Sequence, residues 1–293
     1  MKLALSLATR GRPELLLRTI MITSSNIRNP ETVLMIQADE DDQPTLDFLE
    51  NIEDTGLYKL HISIRPREDT VAAKWNRVID EIPDADVYMP VCDDGPIITP
   101  GFDDMVLEAA SIPPDGIAFV YNRMENASFP GIQAVTREVV ALMGGEIYVE
   151  LFPYWFVDHW LDDIAKMTDR IFFCDVDHDA DTNRPGTMEM REPGWWGTFF
   201  DACYLKRRAT AFKIIDATMD TTWRKDQLKR NVPLHEYRSK WINDCVRDNH
   251  GLAEYAKRTN PPDDRYRRIR AAAVAMMRDE LLPMLEGGVS DQT

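Results

Sequence analysis

Two groups of acidic residues in the first hundred residues directly follow apolar stretches. Side chains at the end of such a stretch are well placed to contact a ligand. Asp93 and Asp94 come directly after an apolar stretch that ends at Cys92, and Asp39 begins an acidic run that continues to Asp42. Hard divalent cations prefer oxygen ligands, and Mg²⁺ or Mn²⁺ binds one or two carboxylates together with substrate phosphates. The Asp93–Asp94 pair therefore indicates a metal site for a phosphorylated ligand, with a solvated Asp-Asp-Gly turn as the alternative.

A basic loop precedes the first expected helix. Thr9, Arg10, Gly11 and Arg12 come before Pro13, a residue that suits the first position of a helix. Exposed N–H groups and the helix dipole at such a position favour a bound anion, and arginines in free solvent are the alternative. The GxxxxGK and GxGxxG patterns are both absent, which disfavours P-loop proteins and nicotinamide-dependent dehydrogenases.

Three further groups of residues could contribute to chemistry. His178 follows an expected strand and has acidic neighbours, so it is a candidate metal ligand as well as a candidate structural histidine. Asp158 begins an apolar helix, where a carboxylate can act as a general base or simply favour the helix dipole. Arg184 and Arg191 lie in a loop with Gly and Pro residues that could close over phosphates. The Gly-x-Ser-x-Gly and HExxH patterns are absent, so serine hydrolases and zinc peptidases have no support.

Strands and helices alternate along the first two thirds of the chain. The apolar patterns predict strands at 3–8, 32–37, 59–64, 86–92, 116–121 and 170–175. Helices are expected at 13–23, 44–51, 71–82, 136–143 and 156–167, and charged stretches with helical spacing follow at 205–257 and 268–285. This order is typical of an α/β fold with a mostly parallel central sheet and helices on both faces. We expect a main domain over residues 1–200 and a helical C-terminal extension over residues 201–293.

The expected sheet brings the acidic and basic groups together. In an open parallel sheet, ligands bind at the carboxyl ends of the strands. Three of the predicted strands end at the basic loop, at Asp39 and at the Asp93–Asp94 pair, so these groups should lie side by side. Asp39 is the member of its acidic run that is nearest to the strand end, while a fully solvated loop is the alternative for that run.

Composition and charge narrow the function classes. The 293 residues include 34 Lys and Arg against 50 Asp and Glu, a formal net charge of −16. Such a chain has no general attraction to nucleic acid or to anionic lipid. The four cysteines form no CxxC pair, which favours reduced thiols. The first apolar run is too short for a signal peptide, and no run of about 18 apolar residues exists, so a cytoplasmic protein with no membrane span is expected.

The order of these pieces resembles the inverting family-2 glycosyltransferases, which have the A-type nucleotide-sugar fold. The resemblance covers roughly residues 3–180, and it rests on residues 5–14, Asp39, 72–76, 87–94 with 100–102, and 156–159. The sequence departs from the family pattern at two points. Cys92-Asp93-Asp94 stands in place of Asp-x-Asp, which leaves Asp94 as the metal-binding carboxylate, and Val157 stands where an acidic residue normally precedes the catalytic Asp158.

The resemblance implies an inverting, metal-dependent hexosyltransferase, with residues 1–200 as its nucleotide-sugar-binding catalytic domain. The donor would be a nucleotide diphospho-sugar, in the first place a UDP-sugar, and the acceptor is unknown. The implied catalytic base is Asp158, and the implied ligands of Mn²⁺ or Mg²⁺ are Asp94 and His178. The implied donor-binding residues are Thr9, Arg10, Arg12, Asp39, Lys74, Asn76, Asp93, Arg184 and Arg191.

Two other interpretations stay open. A nucleotidyltransferase uses a similar sheet, but it normally has a Gly-rich basic loop after the first strand, and here Gly11 is the one glycine and lysine is absent from that loop. A non-catalytic interaction module on a transferase-like scaffold is the third possibility. The C-terminal helices could also serve a homo-oligomer.

Overall fold

The computed structural model describes residues 1–52, 59–123, 132–153, 156–179, 192–233 and 264–283. The chain divides into two compact units. The first comprises Met1–Tyr148, Arg170–Pro185 and Ala217–Met219, and the second comprises Val149–Asp169, Gly186–Asp216 and Asp220–Thr293. The boundary expected near residue 200 stays a prediction.

The first unit is built on a seven-stranded sheet among the described residues. The strands are β1 (Leu3–Ala8), β2 (Val33–Asp39), β3 (Lys59–Arg65), β4 (Val87–Cys92), β5 (Phe119–Asn122), β6 (Gln133–Thr136) and β7 (Ile171–Cys174). Their order across the sheet is β3-β2-β1-β4-β6-β5-β7. All neighbouring strands are parallel except β6, which runs antiparallel to both β4 and β5. The expected mostly parallel sheet is confirmed.

The helices of the first unit cover both faces of this sheet. They are α1 (Pro13–Ser25), α2 (Gln43–Leu49), α3 (Val71–Glu81), α4 (Phe102–Ala110) and α5 (Arg137–Met143). Leu3, Leu5 and Leu7 of β1 share a core cluster with residues of α1, α2 and α4. Because side chains alternate across a strand, Ser6 points to the opposite face, where its hydroxyl donates to the carbonyl oxygen of Trp75 in α3 at 2.9 Å. Helices on both faces explain why β1 is apolar almost throughout.

A buried carboxylate ties the start of α4 to the connection between α1 and β2. Asp103 is 0% exposed, and its oxygens accept hydrogen bonds from the backbone N–H of Arg28 (3.1 Å) and Asn29 (2.8 Å) and from the hydroxyl of Thr32 (2.9 Å). Gly101 just before α4 has φ 72°, and a Cβ there would lie 2.8 Å from Cδ of Arg28. These contacts fix the entry into β2, the strand that carries Asp39.

The second unit is helical in the part of it that the structure describes. Its helices are α6 (Val157–Thr168), α7 (Pro193–Ala202), α8 (Tyr204–Ala217), α9 (222–233) and α10 (Asp264–Met276), and α10 continues into a π-helical turn (Met277–Leu281). Phe152 lies at the centre of an aromatic cluster, with ring centroids 5.5–6.2 Å from those of Phe156, Trp160, Trp196, Phe199 and Phe200. Trp196 is therefore a core residue of the second unit.

A buried arginine joins three elements of the second unit. Arg207 of α8 is 1% exposed, and its Nε donates to a carboxylate oxygen of Asp163 in α6 at 2.9 Å. The guanidinium also lies 3.8 Å from the ring centroid of Phe200 in α7. Both charges are thus compensated inside the unit, as a buried ion pair requires. Among the described residues, no helix has the length and apolar character needed to cross a membrane.

Candidate functional site

The carboxyl ends of β1, β2 and β4 lie side by side in the first unit. The chain runs from β1 to β2 and β3 on one side, and β4 then pairs with the other side of β1. The ends of β1 and β4 therefore form a topological switch point, which is where open α/β sheets bind ligands. Thr9 follows β1 and Asp93 follows β4, and the hydroxyl of Thr9 donates to Oδ2 of Asp93 at 2.8 Å. The two predicted strand ends are in direct contact.

Arg12 holds both members of the acidic pair. Its Nε lies 3.2 Å from Oδ2 of Asp93, its Nη2 contacts Oδ1 of Asp93, and its Nη1 donates to Oδ2 of Asp94 at 2.9 Å. Asp93 is 0% exposed, while the side chain of Asp94 is 31% exposed. Burial raises the pKa of Asp93 above its ordinary value, although Arg12 and Thr9 both favour the ionised form. One guanidinium therefore bridges a buried and a partly exposed carboxylate.

A second cluster of opposite charges lies at the end of β2. Asp39 is buried, and its carboxylate lies 2.6 Å from Nζ of Lys74 and 2.9 Å from Nη1 of Arg10. Lys74 also donates to the carbonyl oxygen of Thr9 at 2.8 Å. Burial lowers the pKa of Lys74, while the ion pair with Asp39 acts in the opposite direction. Arg10 further contacts the exposed Asp41 at 2.6 Å. The basic loop and this acidic cluster thus form one surface.

Asp42 shapes the basic loop, a role that the sequence did not reveal. It is 4% exposed, and its Oδ2 accepts hydrogen bonds from the N–H of Gly11 (2.7 Å) and the hydroxyl of Thr45 (2.5 Å). Gly11 has φ 64°, in the left-handed region that glycine adopts without strain. One feature of the sequence could have indicated this role. Asp42 directly precedes α2, and an aspartate at such a position often accepts hydrogen bonds from nearby backbone N–H and hydroxyl groups.

His178 lies beside the turn that carries Asp94. It pairs with Ile97 in an isolated β-bridge, and a Cβ built on Gly95 would lie 3.7 Å from its Cδ2. Within the described ranges, no group of three or more His, Cys, Asp or Glu side chains is arranged to hold a metal ion. The donor types of Asp94 and His178 nevertheless fit a cation that completes its coordination with phosphate oxygens, because Mg²⁺ and Mn²⁺ are commonly held by few protein ligands.

Asn76 makes contacts of a different kind from the strand-end residues. It is buried in α3, its Oδ1 accepts the N–H groups of Ile147 (2.9 Å) and Tyr148 (3.1 Å), and its Nδ2 donates to the carbonyl oxygen of Tyr148 (2.8 Å). These bonds hold the 147–148 backbone against α3. A contact between Asn76 and the donor stays a prediction. The two remaining donor-binding candidates, Arg184 and Arg191, lie outside the described residues.

Asp158 lies in the first turn of α6, in the second unit, and is paired with its neighbour. Its Oδ1 accepts from the backbone N–H of His159 and lies near Nδ1 of the same residue, each at 2.9 Å. Burial would raise the pKa of Asp158, but these bonds outweigh it and hold the pKa below its ordinary value. Burial likewise opposes a charged His159, yet Asp158 raises its pKa above the usual value. Asp158 is therefore ionised at neutral pH.

No family model and no curated protein match this sequence. Solved structures do match the fold. S. aureus TarS residues 1–349 in complex with UDP-GlcNAc gives a TM-score of 0.55 at 12% identity, over 81% of this chain and 73% of that chain. The same protein in complex with UDP gives a TM-score of 0.52 at 12% identity, over 78% and 70% of the two chains.

The chain has the A-type nucleotide-sugar fold. This confirms the fold class that the sequence predicted, and at such low identity the likeness concerns the fold alone. A mannosyltransferase from Pyrobaculum calidifontis in complex with GDP-Man and Mn²⁺ reaches a TM-score of 0.49 at 10% identity, over 95% of this chain and 88% of that chain, which is too low to support an inference.

Proposed function

We propose that this protein is an inverting, metal-dependent glycosyltransferase that moves a sugar from a nucleotide diphospho-sugar to an acceptor hydroxyl. The observation that supports this most strongly is the contact between Thr9 and Asp93 across the switch point of an A-type nucleotide-sugar fold. A UDP-sugar is the first donor to test, because two of the solved structures that share this fold are complexes with UDP and with UDP-GlcNAc.

The donor would lie across the ends of β1, β2 and β4. Arg10, Arg12 and Lys74 supply three positive charges at this edge, and carboxylates hold each of them in place. Cations that are already oriented stabilise a diphosphate without having to reorganise when charge develops on it. The buried Asp39 and Asp93 are the proposed partners of the nucleoside. Their carboxylates would accept hydrogen bonds from its hydroxyl and N–H groups.

Asp94 and His178 would hold the divalent cation. A bound Mn²⁺ or Mg²⁺ supplies charge neutralisation for the departing nucleoside diphosphate. Because protein ligands alone do not complete its coordination, the affinity for the cation should depend on the phosphate oxygens of the donor. Arg12 contacts Asp94, so its guanidinium would be available to the same phosphates, whose geometry it suits.

Asp158 is the proposed base. Its ionised carboxylate can accept the proton of the acceptor hydroxyl as that oxygen attacks the anomeric carbon from the face opposite the leaving group, which inverts the sugar. The neighbouring His159 orients the carboxylate through Nδ1. General-base assistance of this kind is worth roughly 10²–10⁴-fold in rate.

The donor class is tested by a thermal-shift panel of nucleoside diphosphates and nucleotide-sugars, each with and without Mn²⁺. A ligand that binds the native state raises stability by RT ln(1 + [L]/Kd), which is about 2.7 kcal/mol at 100 times Kd. We expect a shift with one nucleotide that requires Mn²⁺ and is lost in Asp94→Ala. Asp104→Ala, an exposed aspartate in α4, is the matched control and should keep the shift.

Two further outcomes, one from an assay of pyrophosphate release and one from the thermal-shift panel, separate the other two interpretations. Release of pyrophosphate from a nucleoside triphosphate and a sugar phosphate would indicate a nucleotidyltransferase. A folded protein that shifts with no nucleotide would contradict our proposal and favour a non-catalytic interaction module. A cytoplasmic location, an acceptor of unknown class and a homo-oligomer through the C-terminal helices stay predictions.

Asp158→Asn tests the proposed base. We expect this variant to keep the nucleotide-dependent thermal shift and to lose at least about 100-fold in donor turnover, because the amide cannot take a proton. Turnover is measured as release of nucleoside diphosphate, first by slow hydrolysis and then with acceptors. Asp226→Asn removes an exposed carboxylate from α9 and should retain full turnover. Unchanged turnover in Asp158→Asn would remove this residue from the base role.

A further inference from the structure

Arg12 makes two contacts of different strength, and the difference matters for a cation at Asp94. Two of its guanidinium nitrogens, Nε and Nη2, contact the fully buried Asp93, which Thr9 also holds. The third nitrogen, Nη1, donates to Asp94, whose side chain is 31% exposed. Among the described residues, this is the one hydrogen bond that the carboxylate of Asp94 receives.

We propose that Arg12 is an internal cation that a divalent metal replaces at Asp94, and that the nitrogen released in this exchange then binds the donor diphosphate. This inference rests on the proposed function, because it assigns a step to the same site. The guanidinium stays on Asp93, and Asp94 alone changes its partner from Nη1 of Arg12 to the metal ion. No covalent bond is made or broken.

The difference in burial between the two contacts favours loss of the contact with Asp94 and retention of the contact with Asp93. The contact with Asp93 is buried, so removing it would leave an uncompensated charge inside the protein. The contact with Asp94 is partly solvated, and exposed ion pairs of this kind contribute little, so a divalent ion can displace it. The freed Nη1 lies next to the metal site, where a phosphate oxygen can satisfy it with a charge-assisted hydrogen bond.

Opposite effects on two ligands follow from the exchange. Arg12 competes with a metal ion that binds alone, because Asp94 must first release Nη1. With the diphosphate present, the same arginine contributes to binding. Loss of the guanidinium should therefore tighten the binding of Mn²⁺ alone and weaken the binding of the nucleotide. A purely structural role for Arg12 would not move the two affinities in opposite directions.

The test is a titration of Mn²⁺ without nucleotide, followed by electron paramagnetic resonance of the free ion, on the full chain. An acidic protein binds Mn²⁺ at several places. The part of the Mn²⁺ binding that is lost in Asp94→Asn belongs to this site. We expect Arg12→Gln to bind Mn²⁺ at least about fivefold more tightly than the natural chain. Arg12→Lys keeps a positive charge for Asp93 but lacks the planar fork, so it should also bind Mn²⁺ more tightly, and it serves if Arg12→Gln does not fold.

Arg10→Gln is the matched control, because it removes the same charge from the same loop but its partners are Asp39 and Asp41. Its affinity for Mn²⁺ alone should stay within about twofold of the natural value. In the second arm, UDP is titrated at saturating Mn²⁺. We expect Arg12→Gln to weaken UDP binding by about tenfold or more, since hydrogen bonds to charged groups are among the stronger ones.

Unchanged or weaker binding of Mn²⁺ in the folded Arg12 variants would overturn the exchange. The exchange would also be overturned if no form of the protein showed Mn²⁺ binding that depends on Asp94. In that case, binding of UDP in the presence of a chelator would still support the proposed donor. Tighter Mn²⁺ binding in the variants, with no nucleotide bound by any form, would keep the competition at Asp94 and refute the diphosphate step together with the proposed function.

Discussion

Removing the hydroxyl of Thr9 should make the stability of the protein depend on pH in a new way. The hydroxyl donates to Asp93 at 2.8 Å, both residues are buried, and Asp93 is 0% exposed. Thr9→Val keeps the shape of the side chain and deletes this bond. Because hydrogen bonds to charged groups contribute about 1.5–3 kcal/mol, the variant should lose about that much free energy of unfolding at pH 7–8.

The sign of the pH effect follows from the pKa of Asp93, which burial already raises above its ordinary value. A carboxyl with a raised pKa in the folded state contributes its stability fully below its unfolded pKa and loses it as the pH rises through the folded pKa. Thr9 favours the ionised form, so Thr9→Val raises the pKa further. As the pH falls toward this pKa, Asp93 becomes protonated and the lost bond is a neutral one, worth about 0.5–1.5 kcal/mol. The deficit of the variant should shrink by about 1 kcal/mol.

The matched control is Thr19→Val. The hydroxyl of Thr19 donates to the backbone carbonyl oxygen of Asp93 at 2.7 Å, and Thr19 is 0% exposed. Because a carbonyl does not titrate, this variant should lose about 1–3 kcal/mol at every pH. Both are measured by urea unfolding at a series of pH values, from pH 8 down to the lowest pH at which both variants stay folded. Deficits that run parallel with pH in the two variants, or a Thr9→Val deficit that grows toward acid, would refute the reasoning.

Two further predictions concern buried charges away from the site. Asp103→Asn should reduce the free energy of unfolding, measured by urea titration, by about 2–4 kcal/mol, because three donors lose a charged acceptor. Asp104 is the exposed neighbour, and Asp104→Asn should change the free energy of unfolding by less than about 0.5 kcal/mol. Arg207→Met should reduce the free energy of unfolding by about 3–5 kcal/mol, since it removes the guanidinium that pairs with the buried Asp163. Arg208→Met on the exposed side of α8 should cost less than about 1 kcal/mol in the same urea titration. Equal losses within either pair of variants would contradict the burial argument.

The parts of the fold that the sequence predicted are those with a strong local signal. The strand at 3–8 and the helix at 71–82 are confirmed to within one residue. The first is an unbroken apolar run, which is typical of a parallel strand covered on both faces. The second begins after Thr70, whose hydroxyl accepts the N–H of Ala73 at 3.0 Å. Once the strands were known, the rule on strand ends was enough to bring Thr9 and Asp93 together.

The elements that the sequence missed have weak or contradictory local signals. β6 has four residues and pairs antiparallel with both neighbours, so its place depends on long-range pairing. α7 contains two glycines and two adjacent pairs of aromatic residues, Trp195-Trp196 and Phe199-Phe200, all of which disfavour a helix. The packing of Trp196, Phe199 and Phe200 against Phe152 overrides that preference. α4 begins at a left-handed Gly101, and the buried Asp103 that secures it looks like any surface aspartate in the sequence.

The pairing of charges at the site could not be predicted for a similar reason. A sequence shows that Arg12 and Asp94 lie near the same edge, but it does not show which carboxylate each cation selects. Asp42 illustrates this, since an acidic run that looks solvated contains one buried residue that holds Gly11. Which member of such a run turns inward depends on the donors that the fold brings close, and for Asp42 one of these, the N–H of Gly11, comes from a distant part of the sequence.

The charge balance at the strand ends determines how a chain with a net charge of −16 would bind the proposed anionic donor. In the bonded cluster at this edge, the cations are Arg10, Arg12 and Lys74, and the carboxylates that bond to them or to the basic loop are Asp39, Asp41, Asp42, Asp93 and Asp94. With every group ionised this cluster repels a diphosphate, and a divalent ion at Asp94 brings it to neutrality. Because the charged groups of this cluster lie within a few ångströms of one another and several of them are buried, salt screens the repulsion poorly. Donor binding by this site should therefore need its metal more than its arginines.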